Sequence, residues 1–197
     1  MKLPGLALVV LVAATSACST YQGKINTHLD PGYRQGTIKR LAVFTIRNAS
    51  RAPYKSRRVN AEISRAIEGK NPAVQVVSPP GALRKSNESE WAHVVNDYHT
   101  SGVANLGALG RVSKNLNVDA VLQGQLVGIR QRHATALVAG ETRVTLSFSV
   151  IETVSGKQVW YVSADGVCTT QTPGAPPPIP DAIEDAMRKI LGNIPRL

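Results

Sequence analysis

The chain predicts an α/β fold, a mixed β-sheet sandwich with helices packed on the sheet, in the order strand-helix-strand-helix-helix-strand-strand-strand-helix. Three observations carry this. Val144, Leu146, Phe148 and Val150 alternate with Thr145, Ser147 and Ser149, the two-residue period of a half-buried strand. Two other runs, 38–46 (IKRLAVFTI) and 118–129 (VDAVLQGQLVGI), are rich in apolar and β-branched residues and read as buried strands. Between and after them, apolar residues recur at helical spacing. Early strands joined by helical crossovers and late strands joined by hairpins make one mixed sheet.

Each element follows in order. After the first strand, Asn48 to Pro53 is a turn, and Val59, Ile63, Ala66 and Ile67 mark a helix that Gly69 and Asn71-Pro72 end. Val74 to Ser78 is a short strand closed by Pro79-Pro80-Gly81. Ser89 caps a helix carrying Trp91, Val94, Val95 and Tyr98, with Glu88 and Glu90 favourable near its positive end. Leu106, Leu109, Val112 and Leu116 mark the next helix. In the strand over 118–129, Gly124 and Gly128 are bulge or close-approach positions, and Asp119 at its start is expected to bond backbone. Thr153 to Gly156 turns the chain after the alternating strand, and Gln158 to Ala164 returns as its hairpin partner, with Trp160 in the core. A proline-rich loop over 172–180 leads to a last helix, capped by Asp181, with Ile183, Ala186, Met187, Ile190 and Leu191 on one face.

A chain of 197 residues with 43% hydrophobic and 18% charged residues can bury a sizeable core. Lys and Arg outnumber Asp and Glu by 23 to 13, giving a net charge of +10. Aromatic residues make up only 5%, too few for base-stacking platforms, so the charge is read as attraction to acidic polymers or lipid head groups rather than to nucleic acid. It is concentrated: Arg34, Lys39, Arg40, Arg47, Arg51, Lys55, Arg57 and Arg58 have no acidic residue among them. Lys39, Arg40, Arg47, Arg51, Lys55, Arg57 and Arg58 are therefore the candidate interaction surface, set against the plainer reading of a solvated basic face.

No catalytic constellation is legible. His28, His93, His99 and His133 lack metal-ligand spacing, and Asp97 and His99, two apart on a helix, point away from each other. Nucleophile elbow, phosphate loop and dinucleotide fingerprint are all missing from the sequence. The expectation is a binding or structural module without enzyme activity, cofactor or metal.

At the N-terminus, Lys2 precedes an apolar run over 5–14 (GLALVVLVAA) that is too short for a spanning helix and suits a signal peptide over 1–17. Thr15-Ser16-Ala17-Cys18 resembles the lipobox of bacterial lipoproteins, with Thr15 where Leu is usual. The resemblance implies lipidation of Cys18, and Ser19 after it implies the outer membrane. Ordinary signal cleavage would export the chain unlipidated. Residues 18–36, polar and with a turn at Asp30-Pro31-Gly32, read as the lipidated cysteine and a tether of at most roughly 60 Å, leaving 37–197 as a single domain. A lipidated Cys18 leaves Cys168 a buried thiol; an unprocessed Cys18 permits a Cys18–Cys168 disulfide.

Three segments together resemble the CsgG/LpoB/PelC-like superfamily of bacterial outer-membrane lipoproteins: LAVFTIRNAS (41–50), LGRVSKNLNVDAVLQGQL (109–126) and ETVSGKQVWYVSADG (152–166). The resemblance implies the same α/β sandwich. Members differ in their loops. A membrane-barrel channel needs long spanning hairpins, which RQRHATALVAGET (130–142) does not provide, and an activator that crosses the periplasm needs a longer tether than 18–36. What remains is a non-enzymatic lipoprotein at the periplasmic face of the outer membrane, a scaffold or homo-oligomeric component of an envelope export or biogenesis assembly. The alternative is a periplasmic monomeric regulator that binds an envelope enzyme or peptidoglycan.

Overall fold

The computed structural model describes residues 23–50, 57–77, 97, 100–101 and 105–197. Among the described residues, seven strands form one mixed sheet: β1 (Ile25–Leu29), β2 (Arg40–Val43), β3 (Arg47–Asn48), β4 (Gln75–Val77), β5 (Ala120–Arg132), β6 (Gly140–Glu152) and β7 (Gln158–Thr170). Their order is β1-β7-β6-β5-β2-β4, with β3 paired to β5 beside β2. The contacts of β2 with β4 and β5, and of β3 with β5, are parallel. Those of β5 with β6, β6 with β7 and β7 with β1 are antiparallel. A helical crossover joins β2 to β4, and hairpins join β5 to β6 and β6 to β7, as the sequence predicts.

Helices α1 (Arg57–Lys70), α2 (Leu106–Leu116) and α3 (Ile179–Gly192) pack on this sheet. Strand alternation decides which face each covers. Leu41 and Val43 join Leu122, Leu146, Phe148, Val150, Trp160 and Val162 in a core closed by Val59, Ile63 and Ile67 of α1 and by Ala182, Ala186, Met187 and Ile190 of α3. Ala42 and Phe44 point the other way and pack with Val121 against Ala108, Leu109, Val112 and Leu116 of α2. Trp160 is in the core, 1% exposed.

Local chemistry sets the boundaries. Asn105 caps α2 by accepting from the backbone N–H groups of Gly107 and Ala108, and Asn117 ends it in the left-handed conformation at φ 51°. Gly124 faces Phe148 across the β5–β6 pair, where a Cβ would lie 2.7 Å from Phe148 Cε1 and from Ile46 Cγ1, so close approach is its role. The pairing shifts register between Leu126 and Gly128, the bulge expected there.

Four expectations change. The first strand breaks after Val43 and resumes as β3, because the Ile46 N–H donates to Asn60 Oδ1 of α1 rather than to a strand. β7 runs on to Thr170, past the expected end at Ala164. Asp181 lies in the first turn of α3, whose N-cap position is Pro178 and makes no side-chain cap bond. Residues 25–29, read as tether, form β1: all five are exposed and show no alternation, so nothing but pairing with β7 marks them as a strand. The expected helix around Trp91 to Tyr98 lies outside the described residues, apart from helical backbone at Asp97.

Candidate functional site

The expected basic surface does not gather at one place. Lys39 and Arg40 stand where β2 begins, and their backbone N–H groups both donate to Asp119 Oδ2, at 2.8 and 2.9 Å. Asp119 thus bonds backbone as its sequence position suggested, tying β2 to the start of β5. Arg40 turns inward: one Nη donates to the Leu116 carbonyl at 3.2 Å and its Nε is buried without a partner. Arg47 lies in β3, half-buried, and donates to the Thr100 carbonyl. Arg57 and Arg58 open α1, where Arg58 pairs with Glu62 at 2.7 Å and reaches Glu184 of α3 at 3.7 Å. Arg51 and Lys55 lie outside the described residues.

A different cationic grouping sits at the far end of β5 and β6. Arg130 lies directly opposite Arg143, and Arg132 opposite Glu141. Like charges directly opposed in a sheet are unfavourable. Glu141 contacts both Arg132, at 3.7 Å, and Arg143, at 3.2 Å, so this carboxylate offsets two of the three guanidinium groups. Beyond this pair of strands the loop 133–139 turns tightly, with the Thr135 N–H donating to the Val138 carbonyl and the Val138 N–H to Thr135 Oγ1. At its tip Leu137 is 96% exposed and Val138 46%.

The proline-rich loop braces this hairpin. Thr142, wholly buried, donates to the Pro177 carbonyl at 2.5 Å, and Gln131 Nε2 donates to the same oxygen at 3.3 Å. His133 Nδ1 lies 2.7 Å from the Gly174 carbonyl. The brace was legible in principle. Thr142 continues the inward phase of Val144, Leu146 and Phe148, and a polar residue in an apolar phase needs a partner.

A second polar latch escaped the sequence reading. Asp185 is 4% exposed within the apolar face of α3 and accepts from the Val167 N–H of β7, from Lys189 Nζ at 2.6 Å and from Arg188 at 3.3 Å. Lys189 also donates to the Asp165 carbonyl at 2.7 Å. Gly166 lets the helix lie this close, since a Cβ there would overlap the Ala182 carbonyl. The sign in the sequence is a carboxylate one turn from Ala182 in an apolar stripe.

Cys168 is buried in β7, 3% exposed, and is disulfide-bonded, not the buried thiol that a lipidated Cys18 would leave. The one other cysteine of the sequence, Cys18, lies outside the described residues. Among the described residues no group of three or more His, Cys, Asp or Glu side chains could hold a metal ion. No helix among them is long and apolar enough to cross a membrane.

No protein-family model and no curated protein matches the sequence. Solved structures do match. A dodecamer of a point variant of PelC from Paraburkholderia phytofirmans superposes with a TM-score of 0.52 at 16% identity, over 86% of this chain and 96% of that one. The fold is similar to that of PelC. Weaker matches are the lipoprotein GNA1162 from Neisseria meningitidis (TM-score 0.47, 13% identity, 79% of this chain and 99% of that one) and the C-terminal domain of LpoB from Escherichia coli (0.42, 15%, 68% and 87%).

Proposed function

We propose that this protein is a non-enzymatic lipoprotein, anchored through Cys18 at the periplasmic face of the outer membrane, that works as an oligomeric component of an envelope export or biogenesis assembly. The observation that carries the proposal is the likeness in fold to PelC, a protein solved as a dodecamer, across nearly all of that chain. The lipobox-like Thr15-Ser16-Ala17-Cys18 supports the anchor, which requires that the disulfide at Cys168 be absent from the processed chain. The sheet itself suits head-to-tail association. Among the described residues it ends in two unlike edges, antiparallel β1 on one side and parallel β4 on the other, and unlike surfaces that pair head to tail build rings when the rotation closes and filaments when it does not.

The test is native mass after extraction in mild detergent, beside a Cys18→Ser variant. The proposal expects a discrete species of many copies from the membrane fraction, and release of the variant into the soluble fraction. A clean monomer would favour instead a regulator that binds an envelope enzyme or peptidoglycan. Retention of the variant on membranes would remove Cys18 as the anchor.

A further inference from the structure

Resting on the oligomer reading and independent of any lipid anchor, we infer that two copies of this chain pair edge to edge through β1, antiparallel about a two-fold axis at Thr27, so that their sheets become one.

The free edge of β1 is a row of unpaired backbone groups. The Asp165 N–H donates to the Lys24 carbonyl and the Asp30 N–H to the Val159 carbonyl, which sets the alternation of the antiparallel β1–β7 pair. Lys24, Asn26, His28 and Asp30 therefore direct their backbone groups at β7. Those of Ile25, Thr27 and Leu29 point away from the sheet and have no partner among the described residues. An edge of this kind is a template for another strand, and proteins usually guard it with charge, proline or a bulge. β1, with the sequence INTHL, carries none of these, and all five of its residues are exposed. Ile25 and Leu29, 38% and 41% exposed, continue the core-facing phase of Ala164 and Trp160, so the apolar face runs out to this edge uncovered.

The sequence around Thr27 complements itself when reversed. With Thr27 opposite Thr27 of the second copy, Ile25 falls opposite Leu29 of that copy, Asn26 opposite its His28, and Lys24 opposite its Asp30. The apolar pair, the threonine pair and the two oppositely charged pairs are all favourable across strands. Ile25, Thr27 and Leu29 then sit in hydrogen-bonded pairs, each exchanging two N–H to carbonyl bonds, and every outward group of β1 is satisfied. Parallel pairing in register would instead set Lys24 beside Lys24 and Asp30 beside Asp30. The edge of β4, at three residues against five, carries no charged residue to meet either one. Two-fold pairing competes with head-to-tail pairing of β1 and β4 for the same strand, and an assembly of more than two copies that contains it is dihedral. A contact between five-residue strands is small beside the roughly 1,200–2,000 Å² of a stable interface, so it acts together with other contacts of the assembly.

The test is native mass across a dilution series of the protein extracted in mild detergent, with amide exchange measured in β1. Thr27→Pro removes an N–H that bonds nothing within the chain, and an edge strand accepts proline at such a position, so the monomer keeps its fold. The inference expects this variant to fall to half the native mass or less, with exchange at Ile25 and Leu29 as fast as in unpaired amides. Lys24→Glu sets two carboxylates together at both ends of the paired strands, and the assembly is expected to come apart at severalfold higher concentration. Adding Asp30→Lys restores it, because opposite charges face each other again. Asp30→Lys is also run alone, since the Gly32 N–H loses its acceptor there. Within one chain Lys24 and Asp30 flank β1 at opposite ends, so only a second copy produces the rescue. Head-to-tail pairing of β1 with β4 would be broken by Thr27→Pro without rescue by the double reversal, and that result would overturn the inference while leaving the oligomer. A species of many copies that Thr27→Pro leaves intact would do the same. A two-copy species that Thr27→Pro turns into monomer, with the charge rescue, would uphold the pairing and overturn the reading of many copies. A monomer at every concentration would overturn both.

Discussion

Asp119 shows how one side chain can hold two segments of the sheet in register. Its Oδ2 accepts from the backbone N–H groups of Lys39 and Arg40, while its own backbone N–H donates to the Arg40 carbonyl. The Asp119 carbonyl accepts from the Thr153 N–H and hydroxyl, so the start of β2, the start of β5 and the β6–β7 turn meet at this residue. Asp119→Ala strips the acceptor from two N–H groups, one exposed and one half-buried. We expect a loss of about 1–3 kcal/mol in urea unfolding, with Asp119→Asn losing less because an amide oxygen still accepts. The position was legible because an Asp at a strand's start has few other uses. Arg40 was not: nothing in a run of basic residues says that one of them turns toward the Leu116 carbonyl.

Among the elements, legibility followed periodicity. β6 was plain because its inward residues Val144, Leu146, Phe148 and Val150 are each at most 1% exposed and each alternates with a polar neighbour. α1 and α3 were plain for the same reason at helical spacing. β1 and β3 were not, because strands of five and two residues with mostly exposed side chains carry no burial pattern; they exist by pairing alone. That loss mattered, since β1 adds an edge strand to the sheet from a segment read as tether. The latch between α3 and β7 was hidden in the same way, as a polar group whose partner is far along the chain. Asp185→Ala removes the acceptor for the Val167 N–H and the partner of Lys189. We expect about 1–3 kcal/mol of destabilisation and faster amide exchange at Val167, measured by denaturation and hydrogen exchange. Arg188→Ala, which touches the same carboxylate from an exposed position, should cost under about 1 kcal/mol.

The whole molecule has a direction. At one end of the sheet lie the Asp119 junction and the β6–β7 turn; at the other lie the braced hairpin and the opposed Arg130–Arg143 pair, with β1 starting midway along β7. The sequence showed the excess of basic residues but assigned it to the stretch 39–58, because contiguity in sequence is visible and convergence across strands is not. Arg130 and Arg143 are neighbours only once β5 and β6 pair. Cys18 and Cys168 bear on the same orientation, since a sulfur that carries a lipid thioether cannot also be in a disulfide. The intact mass of the mature protein extracted from membranes, taken before and after reduction and thiol alkylation, therefore tests the central claim most directly. Lipid anchoring predicts a chain that begins at Cys18 and carries acyl modification there. An unacylated chain that gains two alkyl groups, and only after reduction, would contradict it, and would make a Cys18–Cys168 disulfide, rather than a lipid, the bond that ties the N-terminus to this end of the sheet.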